Sequence, residues 1–233
     1  MNLPPLYPAR LLRRYQRFLA DLQLADGRQL TAHVPNTGSM RQCAEPGSAV
    51  AYSLADNPRR KYAATLELVQ VAGAWVDINT QRSNRVVEEA LRAGWLEDLA
   101  GFRVLPEQRL GASRLDFLLQ GTGGPVWLEV KNVTLMSTPV CAGFPDAVSE
   151  RGRRHLLELM AARQQGQRAV LLFLVQRPEA RLFAPAADID PAYARQFEAA
   201  LQAGVEVQVW QTAVTGDELP CQVRIVRRLP FIV

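Results

Sequence analysis

Seven consecutive apolar residues, Ala169-Val170-Leu171-Leu172-Phe173-Leu174-Val175, constrain this chain more than any other stretch. Strand side chains alternate between two faces, so a strand apolar at every position has to be covered on both. The second half of the chain must therefore be a sheet with helices packed on it. Its neighbours supply them. Residues 149–165 read as a helix capped by Ser149 and stopped at Gly166, and residues 191–203 as another ended by Gly204. Asn84 or Ser83 is expected to cap an earlier helix running to about Ala93, before Gly94. Strands are expected at 102–105, 108–110, 114–119, 126–131 and 205–210. Residues 81–233 are thus an α/β (α+β) domain built on a mixed sheet.

Residues 1–80 read differently. Short strands at 14–22, 29–34, 49–54 and 61–71 are separated by turn chemistry at Asp26-Gly27, Pro35-Asn36-Thr37-Gly38, Glu45-Pro46-Gly47 and Asp56-Asn57-Pro58. That pattern is expected to give a small β-barrel, with the oligonucleotide-binding (OB) type as the candidate. The first 62 residues carry nine basic and four acidic side chains, so the surplus behind the net charge of +4 is amino-terminal. Arg13, Arg14 and Arg17, then Arg59, Arg60 and Lys61, form two clusters suited to the phosphates of DNA.

With 233 residues, 48% of them hydrophobic, the chain has enough apolar material for one large core or two modest ones. The amino terminus lacks the charged start and apolar core of a signal peptide, and no apolar window reaches the length of a membrane span. A cytoplasmic location is expected. Cys43, Cys141 and Cys221 lie far apart with no nearby cysteine or histidine, which argues against a disulfide framework and a zinc site.

The chemistry concentrates in two of the expected strands. In Arg114-Leu115-Asp116-Phe117-Leu118-Leu119, Asp116 opposes Leu115 and Phe117; in Val126-Trp127-Leu128-Glu129-Val130-Lys131, Glu129 and Lys131 share a face. The turn Gly121-Thr122-Gly123-Gly124-Pro125 would pair the strands and bring Asp116 to Glu129 and Lys131. Of 27 Lys+Arg residues only Lys61 and Lys131 are lysine, so a compact ammonium is kept at this point in a chain that otherwise writes arginine. Two carboxylates suit Mg²⁺ or Mn²⁺ with water and substrate phosphate completing the shell, and Lys131 would orient the attacking water and offset charge. A Glu-x-Lys pair on a strand also reads as a surface salt bridge, and the helix–strands–helix–strand order around it is what favours a nuclease core. On the helix after residue 84, Glu88 and Glu89 flank the apolar face, and the wheel does not choose between them as a third acid. Asp146, Ser149, Glu150, Arg151 and His155 form a further polar block. Arg151 reads equally as a phosphate contact or a surface charge, whereas His155 and His33 read as structural histidines.

Several spaced blocks carry a resemblance: Pro35-Asn36-Thr37-Gly38, Asn84-Arg85-Val86-Val87-Glu88-Glu89-Ala90, Ser113-Arg114-Leu115-Asp116-Phe117, Glu129-Val130-Lys131-Asn132-Val133-Thr134-Leu135 and Phe144-Pro145-Asp146-Ala147-Val148-Ser149-Glu150-Arg151-Gly152. They resemble the sugar fermentation stimulation protein A family over almost the whole chain. The resemblance implies an amino-terminal OB-like barrel followed by a PD-(D/E)XK nuclease-like domain. It also implies DNA binding, a link to regulation of sugar (maltose) utilisation, and Glu89 as the helix acid beside Asp116, Glu129 and Lys131. A non-catalytic DNA-binding regulator that retains the nuclease fold is the alternative it leaves open.

Overall fold

A computed structural model describes residues 1–57 and 59–233; the Pro58 end of the expected Asp56-Asn57-Pro58 turn lies outside them. Six strands form the first half: β1 (Leu6–Tyr15), β2 (Leu19–Gln23), β3 (Gln29–His33), β4 (Ala49–Leu54), β5 (Ala64–Val71) and β6 (Ala74–Asp77). Their order is β3-β2-β1-β4-β5-β6, and β3 also meets β5 in parallel through Ala32↔Ala64 and His33↔Thr65. The first five strands therefore make a ring closed by one short contact, around a core that includes Leu11, Leu22, Val50, Leu66 and Val69. The single strand expected over 14–22 is broken because Gln16 and Arg17 take positive φ (49° and 65°) and reverse the chain. β6 was not legible because its turn, Ala72-Gly73, has φ of 49° and 83°, and alanine does not advertise the positive φ that such two-residue hairpins need.

The second half comprises α1 (Thr80–Arg92), β7 (Arg103–Leu110), β8 (Ser113–Gln120), β9 (Val126–Val133), β10 (Leu135–Met136), β11 (Cys141–Phe144), α2 (Glu150–Gln164), β12 (Arg168–Val175), β13 (Leu182–Pro185), α3 (Pro191–Gln202), β14 (Glu206–Thr215) and β15 (Gln222–Arg228). The main sheet has the order β15-β14-β12-β9-β8-β7, with β9, β12 and β14 parallel at its centre and antiparallel strands on both sides. β12 behaves as its composition demands. Ala169, Leu171, Phe173 and Val175 pack with Leu156 and Leu159 of α2 and Phe197 of α3, while Val170, Leu172 and Leu174 pack with Val86, Val87 and Leu91 of α1. The two strands expected at 102–110 are one: Glu107 takes positive φ (55°), yet Pro106↔Phe117 and Gln108↔Leu115 on either side of it keep one unbroken register with β8.

Two expectations need correcting. α1 is capped by Asn79, whose Oδ1 accepts from the Gln81 N–H at 3.1 Å, so Ser83 and Asn84 lie inside the helix, free to point elsewhere. Residues 1–3 do not join the ring; Leu3 donates to the Cys221 carbonyl at 2.8 Å and Val223 to that of Met1 at 3.0 Å, beside β15.

The halves are tied by polar contacts, the Arg82 cluster buried and the others partly so. Arg82 of α1, 4% exposed, pairs with Glu67 of β5 and, at 2.8 Å, with Asp77 of β6. Gln42 exchanges two hydrogen bonds with the Met136 backbone, each of 3.0 Å. Ser39 Oγ and the Met40 N–H donate to Asp146 Oδ2 at 3.0 and 2.9 Å.

Candidate functional site

β9 stays paired with β12 along its whole length, but its ladder with β8 runs only from Phe117↔Leu128 to Leu119↔Val126. Beyond Leu128 the two strands part. The Asp116 side chain fills the gap: Oδ2 accepts the Val130 N–H at 2.8 Å and Oδ1 accepts from Asn84 Nδ2 at 2.7 Å. A cleft of about 270 Å³ opens there, with Asp116, Glu129 and Lys131 in its wall, Arg151 of α2 on one rim and Asn36-Thr37-Gly38 of the ring on another.

Glu129 and Lys131 share a face, as strand alternation requires, and both are nearly buried, at 3% and 9% exposure. Lys131 Nζ donates to Glu129 Oε1 at 2.5 Å, and His155 Nδ1 bonds the same oxygen. Arg151 Nε lies 3.4 Å from His155 Nε2, so α2 backs the carboxylate with a two-residue chain. Burial, and then the charge of Glu129, push the Asp116 carboxyl up to about 7, against the opposing pull of the Val130 N–H, Lys131 and Asn84. Burial acts to raise Glu129 as well, but Lys131 and His155 outweigh it and hold that carboxyl well below the usual range. One site thus holds two acids of opposite tendency.

Whether these residues fit a divalent cation is decided by what their oxygens already bond. Glu129 Oε2 is buried and has no hydrogen-bond partner, a costly arrangement unless something else occupies that position. Among the described residues no group of three or more His, Cys, Asp or Glu side chains converges as a metal cage. Two carboxylates with open positions suit a hard cation that keeps its waters, which is how magnesium is usually held. The donor set fits.

The remaining expected residues separate. Glu89 is not at the cleft: 43% exposed, it pairs with the Met1 amino group at 3.0 Å, because five helical residues beyond Asn84 its side chain leaves from another side of α1. Glu88 pairs with Arg92 at 2.7 Å. The helix residue that reaches Asp116 is Asn84. Arg14 is not a free phosphate contact either; its guanidinium donates to the carbonyls of Arg17, Asn36, Gly38 and Ser39 at 2.5 to 3.1 Å and so moors the rim loop. Arg13 is exposed and paired with Asp21 at 2.8 Å. Arg17, Arg59, Arg60 and Lys61 are exposed on the ring and outside the cleft lining, whereas Arg151 lines it.

Comparison with known proteins gives two family models in succession, the SfsA N-terminal OB domain over residues 12–78 and the sugar fermentation stimulation protein RE domain over residues 81–218. The chain belongs to the sugar fermentation stimulation protein (SfsA) family. It is 54% identical to a sugar fermentation stimulation protein homolog of Syntrophotalea carbinolica, over 99% of this chain and 98% of that one. To the Geobacter sulfurreducens homolog it is 50% identical, over 100% and 99%. Among solved structures, SfsA of Pyrococcus furiosus, described as a complex with Ca²⁺, superposes with a TM-score of 0.92 at 29% identity, covering 100% of this chain and 98% of that one.

For this SfsA chain, the site residues that sequence reasoning undervalued are Asn84, read only as a cap, and His155, read as structural. Asn84 lies in a block carrying the family resemblance, and His155 lies just beyond the end of another. What alternation and helical wheels lack is the tertiary step that brings α1 and α2 against opposite faces of β9.

Proposed function

We propose that the cleft binds nucleic acid and hydrolyses a phosphodiester bond, with a divalent cation, Mg²⁺ or Mn²⁺, held by Asp116 and Glu129. The observation that carries this reading is the unpartnered, buried Glu129 Oε2 beside Asp116 and Lys131. The Ca²⁺ named for the Pyrococcus furiosus relative supports it, since Ca²⁺ takes oxygen ligands as Mg²⁺ does. When bound, such a cation neutralises phosphate charge and makes a coordinated water a stronger nucleophile.

The chain's own residues divide the remaining work. Lys131 supplies a cation beside the carboxylates, where negative charge grows as water attacks phosphorus. His155 fixes Glu129 Oε1, leaving Oε2 as the available oxygen. Asn84 and the Val130 N–H fix both oxygens of Asp116. Arg151, exposed on the rim, meets a flanking phosphate, and the exposed Arg17, Arg59, Arg60 and Lys61 provide charge for the rest of a DNA strand.

Incubating the purified protein with labelled single- and double-stranded DNA in Mg²⁺, Mn²⁺ or EDTA tests this. Metal-dependent cleavage lost in Asp116→Ala and Lys131→Ala is expected; cleavage that survives both substitutions removes this site from the reaction. A second reading has its own observation. Lys131 and His155 already satisfy Glu129 Oε1, as in a static ion cluster, which favours a DNA-binding regulator of sugar-utilisation genes without turnover. It requires salt-sensitive DNA binding and no cleavage in any metal.

A further inference from the structure

Asn132 follows Lys131 on β9 and faces the other side of the sheet, toward α1. Its Oδ1 accepts two hydrogen bonds, from Ser83 Oγ at 2.9 Å and from Gln176 Nε2 at 2.8 Å. Gln176 is in turn oriented from behind: Thr212 Oγ1 lies 2.6 Å from its Oε1, and both residues are buried, at 1% and 2% exposure. Thr212 Oγ1 donates to that oxygen and also lies 3.3 Å from the Val175 carbonyl. The Gln176 amide group must then present its N–H to Asn132, and Asn132 must present its oxygen to Gln176. Three buried side chains thus fix which way the Asn132 amide is turned. Its Nδ2 has no partner among the described residues, and the residue lines the cleft.

Asn132 is half-buried, so a donor turned this way by buried partners at the cleft wall is available to a ligand there. The cleft's other polar groups identify the ligand chemistry. The lining holds two cations, Lys131 and Arg151, and three carboxylates, Asp116, Glu129 and Asp146; with a divalent ion on Asp116 and Glu129, as proposed above, the balance favours an anion, and Asn132 adds a neutral donor on the far side of the free β9 edge. A chain of phosphates crossing that edge would meet the carboxylates with one phosphate and Asn132 with its neighbour. We propose that Asn132 is a substrate-contacting residue whose amide N–H donates to a phosphodiester oxygen adjacent to the phosphate at Asp116 and Glu129. This rests on the reading of the cleft as a nucleic-acid site.

The test is binding rather than turnover. Affinity of the full chain for a fluorescein-labelled oligonucleotide, single-stranded and duplex, is measured in EDTA for the wild type, Asn132→Ala and Asn132→Asp. The Asp variant keeps an acceptor oxygen for Ser83 and Gln176 while removing the donor, so it preserves the internal contacts if the Ala variant does not fold. Both are expected to bind roughly tenfold or more weakly. Oligonucleotides with one methylphosphonate linkage, which lacks a charged oxygen, are then scanned along the strand. The wild type is expected to show a penalty at one linkage that disappears in Asn132→Ala, the signature of a direct contact. Wild-type binding with an unchanged Asn132→Ala overturns the assignment, and so does an identical linkage profile in both proteins. Weakening in Asn132→Asp alone is charge repulsion and overturns it too. A wild type that binds no oligonucleotide overturns the nucleic-acid reading along with it.

Discussion

The Asp116 carboxylate accepts the backbone N–H of Val130 at 2.8 Å, standing in for a ladder bond at the point where β8 and β9 separate. A side chain held there is partly desolvated and faces a second carboxylate, which is why its carboxyl sits near 7. The folded, metal-free protein therefore keeps this proton up to about pH 7, while an unfolded aspartate loses it near pH 4. The group's contribution to stability is most favourable below pH 4, falls as pH rises between the two values, and stays at its lowest above 7. Asp116→Asn, with Asn84 turning its amide to accept, should raise the Tm of the metal-free protein by roughly 10 °C at pH 8 and leave it almost unchanged at pH 4. Thermal melts at the two pH values check this.

Arg82 should be the residue whose loss most damages the junction of the two halves. Removing its guanidinium strands Glu67 and Asp77 inside the protein, and breaking one side of a buried ion pair typically costs about 3–5 kcal/mol. Arg82→Met should lower the urea midpoint accordingly. Because α1 also carries Asn84, the same variant should weaken the proposed cation binding at Asp116.

His155 touches Glu129 without entering the proposed metal shell. His155→Ala should lower Mn²⁺ affinity about 10- to 100-fold, as other supporting residues of metal sites do, and alter Tm far less than Arg82→Met. Calorimetric titration with Mn²⁺ separates the two effects.

Arg14 and Arg151 should behave oppositely. Arg14 is committed to four carbonyls, so Arg14→Ala should destabilise the rim loop and reduce Tm; Arg151 is exposed at the cleft, so Arg151→Ala should preserve Tm and reduce the salt dependence of the proposed DNA binding by about one unit of slope. Binding isotherms at several salt concentrations, beside melts, would reveal any exchange of those roles.

Much of this was legible before the structure. The apolar run of β12 demanded helices on both faces, and alternation alone put Glu129 and Lys131 on one side of β9. What escaped depends on tertiary placement or on backbone angles that residue type does not announce. Glu88 and Glu89 flank α1 symmetrically on a wheel, and only the packing of that helix on β9 selects Asn84 for Asp116. Arg14 looks like any other member of a basic cluster until the chain reversal at Gln16 and Arg17 folds four carbonyls around it. Ala72 takes positive φ although it is not a glycine, which hid the β5–β6 hairpin.

The claim on which the rest depends is that Asp116 and Glu129 hold a divalent cation. Crystals soaked with Mn²⁺ and measured at an energy where manganese scatters anomalously test it directly. The account predicts a peak within coordination distance of Glu129 Oε2 and an Asp116 oxygen, absent in Glu129→Gln. An anomalous map empty at that position, with Lys131 and His155 still closed on Glu129, would contradict it.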